Sequence, residues 1–193
     1  IRGLTDKRII TLFGCGGDYQ AEDLACPAGS ISQVITASGM DVGVKKTSFG
    51  GRATAQSVTP AIAISVTKVK LMLKSVGLPT GTVSLAFFTD NAGSPGTQLG
   101  DLSTVTISTT NITTSGRYVT FTFSTGVPLT AGTKYWVKLD GSYTASDVSY
   151  VSWMGADGDP YTTGNALYET STPGTWSTAI IGTGRDLAFI IGC

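Results

Sequence analysis

Apolar and polar side chains alternate along much of this chain, most clearly over residues 118–140, YVTFTFSTGVPLTAGTKYWVKLD. In an extended backbone Val119, Phe121 and Phe123 share one face, and Thr120, Thr122 and Ser124 share the other. Further on, Tyr135, Val137 and Leu139 lie opposite Lys134, Trp136 and Lys138. A period of two is the mark of a strand with one packed and one solvated face. Burying these six apolar side chains is worth roughly 1.5–3 kcal/mol each. Two strands and a connector have nothing of their own to bury them against. The stretch reads as a hairpin that requires a second, facing sheet.

The same pattern recurs on both sides of it. Residues 61–66 (AIAISV) enter a strand after Pro60, and residues 68–75 (KVKLMLKS) put Val69, Leu71 and Leu73 inward with Lys68, Lys70 and Lys74 outward. GLPTG (77–81) is a turn, with proline fixing φ and glycines permitting positive φ. Strands follow at 82–89 (TVSLAFFT) and 102–108, separated by the turn DNAGSPG at 90–96. Residues 148–153 (VSYVSW) form a further strand, 155–176 a long loop, and 185–191 (RDLAFII) a closing strand. About eight strands with turn signals at roughly 8–12-residue spacing predict an all-β antiparallel sandwich or barrel. A closing strand at the C-terminal end suits a jelly roll, where late strands return beside early ones.

Residues 1–48 read differently. KRIITLF (7–13) and ISQVIT (31–36) are strand candidates around a glycine-rich loop, without sustained alternation. This predicts an extended N-terminal arm or accessory sheet at 1–48, packed on its own domain or on a neighbouring subunit, ahead of a jelly-roll domain at 49–193. The chain begins at Ile1 rather than Met, which leaves room for an upstream segment.

Composition narrows the function. Charged residues are 13% of the 193, with 13 basic and 13 acidic, so the formal net charge is zero. Nucleic-acid binding by counterion release needs a basic surface. Lys68, Lys70 and Lys74 read instead as the wet face of a strand. Only two glutamates occur, Glu22 and Glu169, and the surface is rich in Thr, Ser and Gly. Such coats are frequent in extracellular and virion proteins. Histidine is absent, which removes the usual general base and transition-metal ligand. No apolar run reaches the ~20 residues of a membrane span. Of the three cysteines, Cys15 and Cys26 would close a small loop in an oxidising setting and leave Cys193 over; three reduced thiols is the other reading.

Candidate chemistry is sparse. Tyr161, Tyr168 and Trp176 sit in or beside the long loop, near acidic residues, and could stack on sugar rings. The structural alternative is that Trp136 and Trp153 cover the sheet and Trp176 pins the loop. Asp157 and Asp159 (ADGDP), or Asp90 and Asn91, offer oxygens to calcium, which wants six to eight ligands. Turn chemistry explains both clusters without metal. No nucleophile elbow, Cys/His pair or phosphate loop is present, so no catalytic residue is assigned. Asn111-Ile112-Thr113 fits a glycosylation acceptor.

The order of motifs after residue 49 is distinctive: Ala55-Gln56-Ser57, the Gly-x-Pro-x-Gly turn, the Gly-Ser-Pro-Gly turn, the Leu-x-Ala-Gly-Thr-x-Tyr-Trp connector, then GTWS and RDLAFII. It resembles a jelly-roll module of bacterial surface and secreted proteins, including the choice-of-anchor type, and of tailed-phage fibre and virion proteins. The resemblance implies a jelly-roll fold and a non-enzymatic role as glycan binder, spacer or capsid or fibre part. The expected function is a structural module of an extracellular particle, a phage virion above all, that contacts further copies of itself and neighbouring virion or surface-assembly proteins. The alternatives are a carbohydrate-binding or adhesive domain of a secreted bacterial protein, and a subunit of an extracellular filament. No cofactor other than calcium is called for.

Overall fold

A computed structural model describes residues 29–33, 41–46, 53–100, 104–156, 161–179, 181 and 185–192. Their strands are β1 (Ile31–Gln33), β2 (Asp41–Val44), β3 (Ala53–Val58), β4 (Ile64–Val76), β5 (Gly81–Asn91), β6 (Ser94–Gln98) and β7 (Thr104–Ser108). A 3-10 turn, Thr109–Asn111, leads to β8 (Arg117–Leu129), β9 (Tyr135–Tyr143), β10 (Tyr150–Ala156), β11 (Ala166–Glu169), β12 (Trp176–Ser177), β13 (Asp186–Leu187) and β14 (Phe189–Ile191). All pairings are antiparallel and build two sheets of a sandwich. The chain passes from one sheet to the other at β2–β3, β3–β4, β4–β5, β7–β8, β8–β9, β9–β10, β10–β11 and β12–β13.

The first sheet is centred on β4. β8 takes one edge of it, and β14 and β10 take the other edge end to end. β1 lies outside β14, and β2 lies outside β10. Both short N-terminal strands therefore pack on their own domain. Where β4 and β10 part after the Leu73–Trp153 pair, the C-terminal segment wedges between them. There the Met72 amide donates to Ala188 O at 3.3 Å, and the Ala188 amide donates to Met154 O at 2.9 Å. The second sheet runs β12-β11-β3-β9-β5, with β7 and β6 sharing the far edge of β5.

β8 and β9, which alternation alone presents as a hairpin, do not pair. They stand in opposite sheets and send Val119, Phe121, Phe123 and Tyr135, Val137, Leu139 into one core from its two sides. Phe123 of β8 meets Phe87 of β5 across that core at 5.7 Å between ring centroids. The segment between them is a corner. Gly132 (φ 69) donates its amide to Pro60 O at 2.8 Å, and the Thr130 amide donates to the Tyr135 hydroxyl at 3.1 Å. Residues 124–129, loop-like by their Gly and Pro, continue β8 past a bulge at Val66–Lys68, and Val127 and Leu129 are buried.

The β5–β6 hairpin turns on only two residues. Asn91 pairs with Ser94, and Ala92 (φ 50) and Gly93 (φ 87) both occupy the left-handed region. Two-residue hairpins of this hand favour Asn-Gly, because an alanine Cβ is crowded there. Ala92→Asn raises the stability by about 0.5–1 kcal/mol. It shows as a higher denaturant midpoint at constant slope; an unchanged or lower midpoint contradicts it.

Candidate functional site

The outer face of the second sheet carries an uneven load. β3 presents alanines there, Ala53 and Ala55, between Lys138 and Asp140 of β9 on one side and Leu167 of β11 on the other. Small residues flanked by long ones leave a trough. Part of it is filled by an apolar cluster separate from the main core: Ala55, Trp136 and Leu167, with Phe88 and Trp176 packed against them. Trp136, on the nominally wet phase of β9, is only 1% exposed. Its indole N–H donates to Asp90 Oδ1 at 2.7 Å.

Lys138 organises the rest. Its ammonium lies 5.4 Å from the Phe88 ring centroid and 5.6 Å from that of Trp176. It stands 3.5 Å from Glu169 Oε2 and 3.8 Å from Asp140 Oδ2. Glu169 is fixed in turn by the Gly174 amide, which donates to Oε1 at 2.8 Å, and Asp140 Oδ1 accepts from the Gly141 amide at 2.7 Å. Lys45, Lys138, Asp140, Gly141 and Glu169 line an open cleft of about 580 Å³.

Tyr143 lies behind Gly141, so close that a Cβ on the glycine would overlap the ring. Its hydroxyl donates to Val44 O and accepts from the Val151 amide at 3.0 Å, which ties β9 to β2 and β10 of the opposite sheet. Burial pushes the phenol up from 10.0 to about 12; the Val151 N–H opposes this and the Asp140 carboxylate adds to it. A raised folded-state value stabilises fully below pH 10, and the contribution is lost as pH climbs from 10 through about 12. The gap corresponds to about 2–3 kcal/mol. Tyr143→Phe is thus less stable than the parent at pH 8, and its deficit narrows between pH 10 and 12. Denaturant unfolding across that range checks this; parallel profiles contradict it.

The three aromatic residues singled out by sequence do not share a face. Tyr161 turns inward: its ring meets Phe189 edge-on at 5.4 Å, its hydroxyl accepts from the Thr59 amide at 3.0 Å, and its own amide donates to Asp186 Oδ2 at 2.9 Å. Tyr168 packs against the main core from β11. Trp176 alone lies on the outer face, in register with Glu169. Trp153 is a core residue.

Asp90 is a turn and anchor residue, its second oxygen accepting from the Gly93 amide at 3.3 Å. Of the outward lysines of β4, Lys74 pairs with Asp41. Asp157, Asp159, Cys15, Cys26 and Cys193 lie outside the described residues. Among the described residues no three His, Cys, Asp or Glu side chains are grouped to hold a metal, and no helix is long and apolar enough to cross a membrane.

Sequence reasoning missed Lys138, Asp140, Glu169 and Lys45. The available signal was the outward phase of β9, where Trp136, Lys138 and Asp140 follow at every second residue. No protein-family model matches the chain, and no curated protein matches it.

Proposed function

We propose that the chain is a non-enzymatic structural module of an extracellular particle, of the capsid-decorating, cement or fibre type in a phage virion. It acts through contacts between subunits made by its N-terminal segment. The observation that carries this reading is the place where that segment joins the sandwich. β1 is an edge strand of the first sheet among the described residues, paired to β14, so the described chain enters the sandwich at a sheet edge. An edge strand is where a chain adds to, or exchanges with, the sheet of a second copy.

The use of the polar residues supports the same reading. Gln56 and Asp186, Tyr143, and the Trp136–Asp90 pair lock strands together rather than converge on a reacting atom. The outward positions of β8, Thr120, Thr122 and Ser124, form an uncharged exposed coat. Light scattering on the full chain is expected to give a closed oligomer, the usual outcome for identical subunits. Removing residues 1–28 should return it to a monomer with little change in melting temperature. A strictly monomeric full chain overturns the proposal. Open filaments in electron micrographs select the filament reading, in which the segment is donated to the next copy. The carbohydrate-binding reading draws on one observation, the cleft beside Trp176.

A further inference from the structure

We propose that the cleft over β9 and β11 is a binding site for a neutral saccharide. Of the three aromatic residues that the sequence singles out, only Trp176 lies beside it, since Tyr161 and Tyr168 face the core. It is independent of subunit assembly.

Two of its five lining residues are occupied with each other. Lys138 is 19% exposed and Glu169 9%, and the pair is held further by Gly174 and by the rings of Phe88 and Trp176. They form fixed walls. The other two charged groups have hydrogen-bonding capacity unspent. Asp140 is 44% exposed, and its Oδ2 accepts no hydrogen bond among the described residues, because Lys138 at 3.8 Å is too far to donate one. Lys45, held at φ 57 in the turn after β2, has its ammonium 6.0 Å above the Tyr143 ring and meets no carboxylate among the described residues. One acceptor and one donor thus face the same open space.

The charges select the ligand class. Two ammonium groups and two carboxylates line the cleft. With charges of both signs in equal number, the lining offers no net attraction to an anion or to a cation. A hydroxyl donates and accepts at once, so a polyol can donate to Asp140 while accepting from Lys45. Trp176, in register with Glu169, lies beside the cleft, its ring packed against the outer apolar cluster and 5.6 Å from the Lys138 ammonium. The volume of about 580 Å³ falls within the range of small-ligand sites, roughly 300–1,000 Å³.

The test is a printed array of neutral and acidic glycans probed with the full chain, followed by calorimetric titration of the strongest neutral oligosaccharide. The expected result is binding to a neutral glycan that weakens by roughly tenfold or more in both Asp140→Ala and Lys45→Ala, the worth of one hydrogen bond to a charged group. Both variants should keep the parent's oligomeric mass, and Lys45→Ala its melting temperature, while Asp140→Ala loses only the few degrees that one hydrogen bond to the Gly141 amide is worth. Leu78→Ser, at an exposed turn, should bind as the parent does. No neutral glycan bound, acidic glycans alone bound, or neutral binding that survives both substitutions overturns the assignment. None of these outcomes bears on assembly, which is read from the mass.

Discussion

Replacing Gln56 by alanine lowers the stability of the fold by about 3–5 kcal/mol, which for a chain of this size moves the melting temperature down by roughly 6–20 °C. The size of the effect follows from what one side chain joins. Gln56 belongs to β3 in the second sheet, and Asp186 to β13 in the first, and neither is exposed to solvent. Gln56 Nε2 donates to Asp186 Oδ1 at 2.8 Å and to Ser57 O at 3.2 Å. Its Oε1 accepts from the Leu187 amide at 2.8 Å. Alanine leaves that amide without its partner, costing about 1–3 kcal/mol, and removes a donor to a buried carboxylate, costing about 1.5–3 kcal/mol more. Gln56→Glu keeps the shape and sets a second carboxylate against the first. At neutral pH it should be at least as harmful as alanine, and it should regain part of the loss in mild acid, where the two groups share a proton. A loss below about 1 kcal/mol for the alanine variant, measured by reversible unfolding, would show that the two sheets are not joined through this residue.

The sequence made the sandwich legible because its longer strands follow one rule, a period of two with most apolar residues on one phase. Val69, Leu71 and Leu73, Val83, Leu85 and Phe87, and Leu187, Phe189 and Ile191 are all buried, on the phase that alternation assigns. Pairing was less legible, since alternation fixes which face of a strand is packed and not which strand lies beside it. β8 and β9 carry complementary patterns that suit a hairpin and a pair of facing layers equally well. The choice is made by the corner at Gly132 and its hydrogen bond to Pro60, a contact distant in sequence. The resemblance picked out Ala55-Gln56-Ser57 as a motif, but its meaning became visible only with Asp186 placed opposite.

The candidate site was nearly hidden, for a related reason. Trp136 occupies the wet phase of β9, yet a satellite cluster and the Asp90 carboxylate cover it. Lys138, Asp140 and Glu169 draw no attention as charges in the sequence, and alternation does not mark Ala53–Val58 as a strand. Only the register of β9, β3 and β11 sets the small side chains between the long ones. Within the loop read from 155 to 176, the run Ala166–Glu169 is a strand, and it supplies one wall of the cleft.

Trp153→Ala is expected to cost about 4–5 kcal/mol, at the upper end of what truncating a core aromatic removes. Trp153 is fully buried on β10, between Leu73 of β4 and Val42 of β2 in the ladder. Its indole N–H donates to Ala188 O at 2.9 Å, at the point where the C-terminal segment wedges between β4 and β10. The ring therefore fills the core and also holds the closing strand. Trp153→Phe separates the two roles. Phenylalanine keeps most of the apolar area and loses the donor, while Ala188 O keeps the Met72 amide as a partner. Its cost should be about 1–2 kcal/mol, close to the value of one hydrogen bond and a small volume change. Hydrogen exchange then shows where the loss falls: in the phenylalanine variant the amides of Ile190 and Ile191 exchange faster before those of β3 and β9 do. If the two variants cost the same, the hydrogen bond outweighs the packing. If exchange rises evenly over both sheets, the ring supports the core as a whole and the closing strand has another anchor. Trp136→Ala is the internal comparison. That ring sits on the outer face among Ala55, Leu167 and the rim aromatics, where Lys138 and Trp176 can settle into the space it leaves, so its loss should be the smaller of the two.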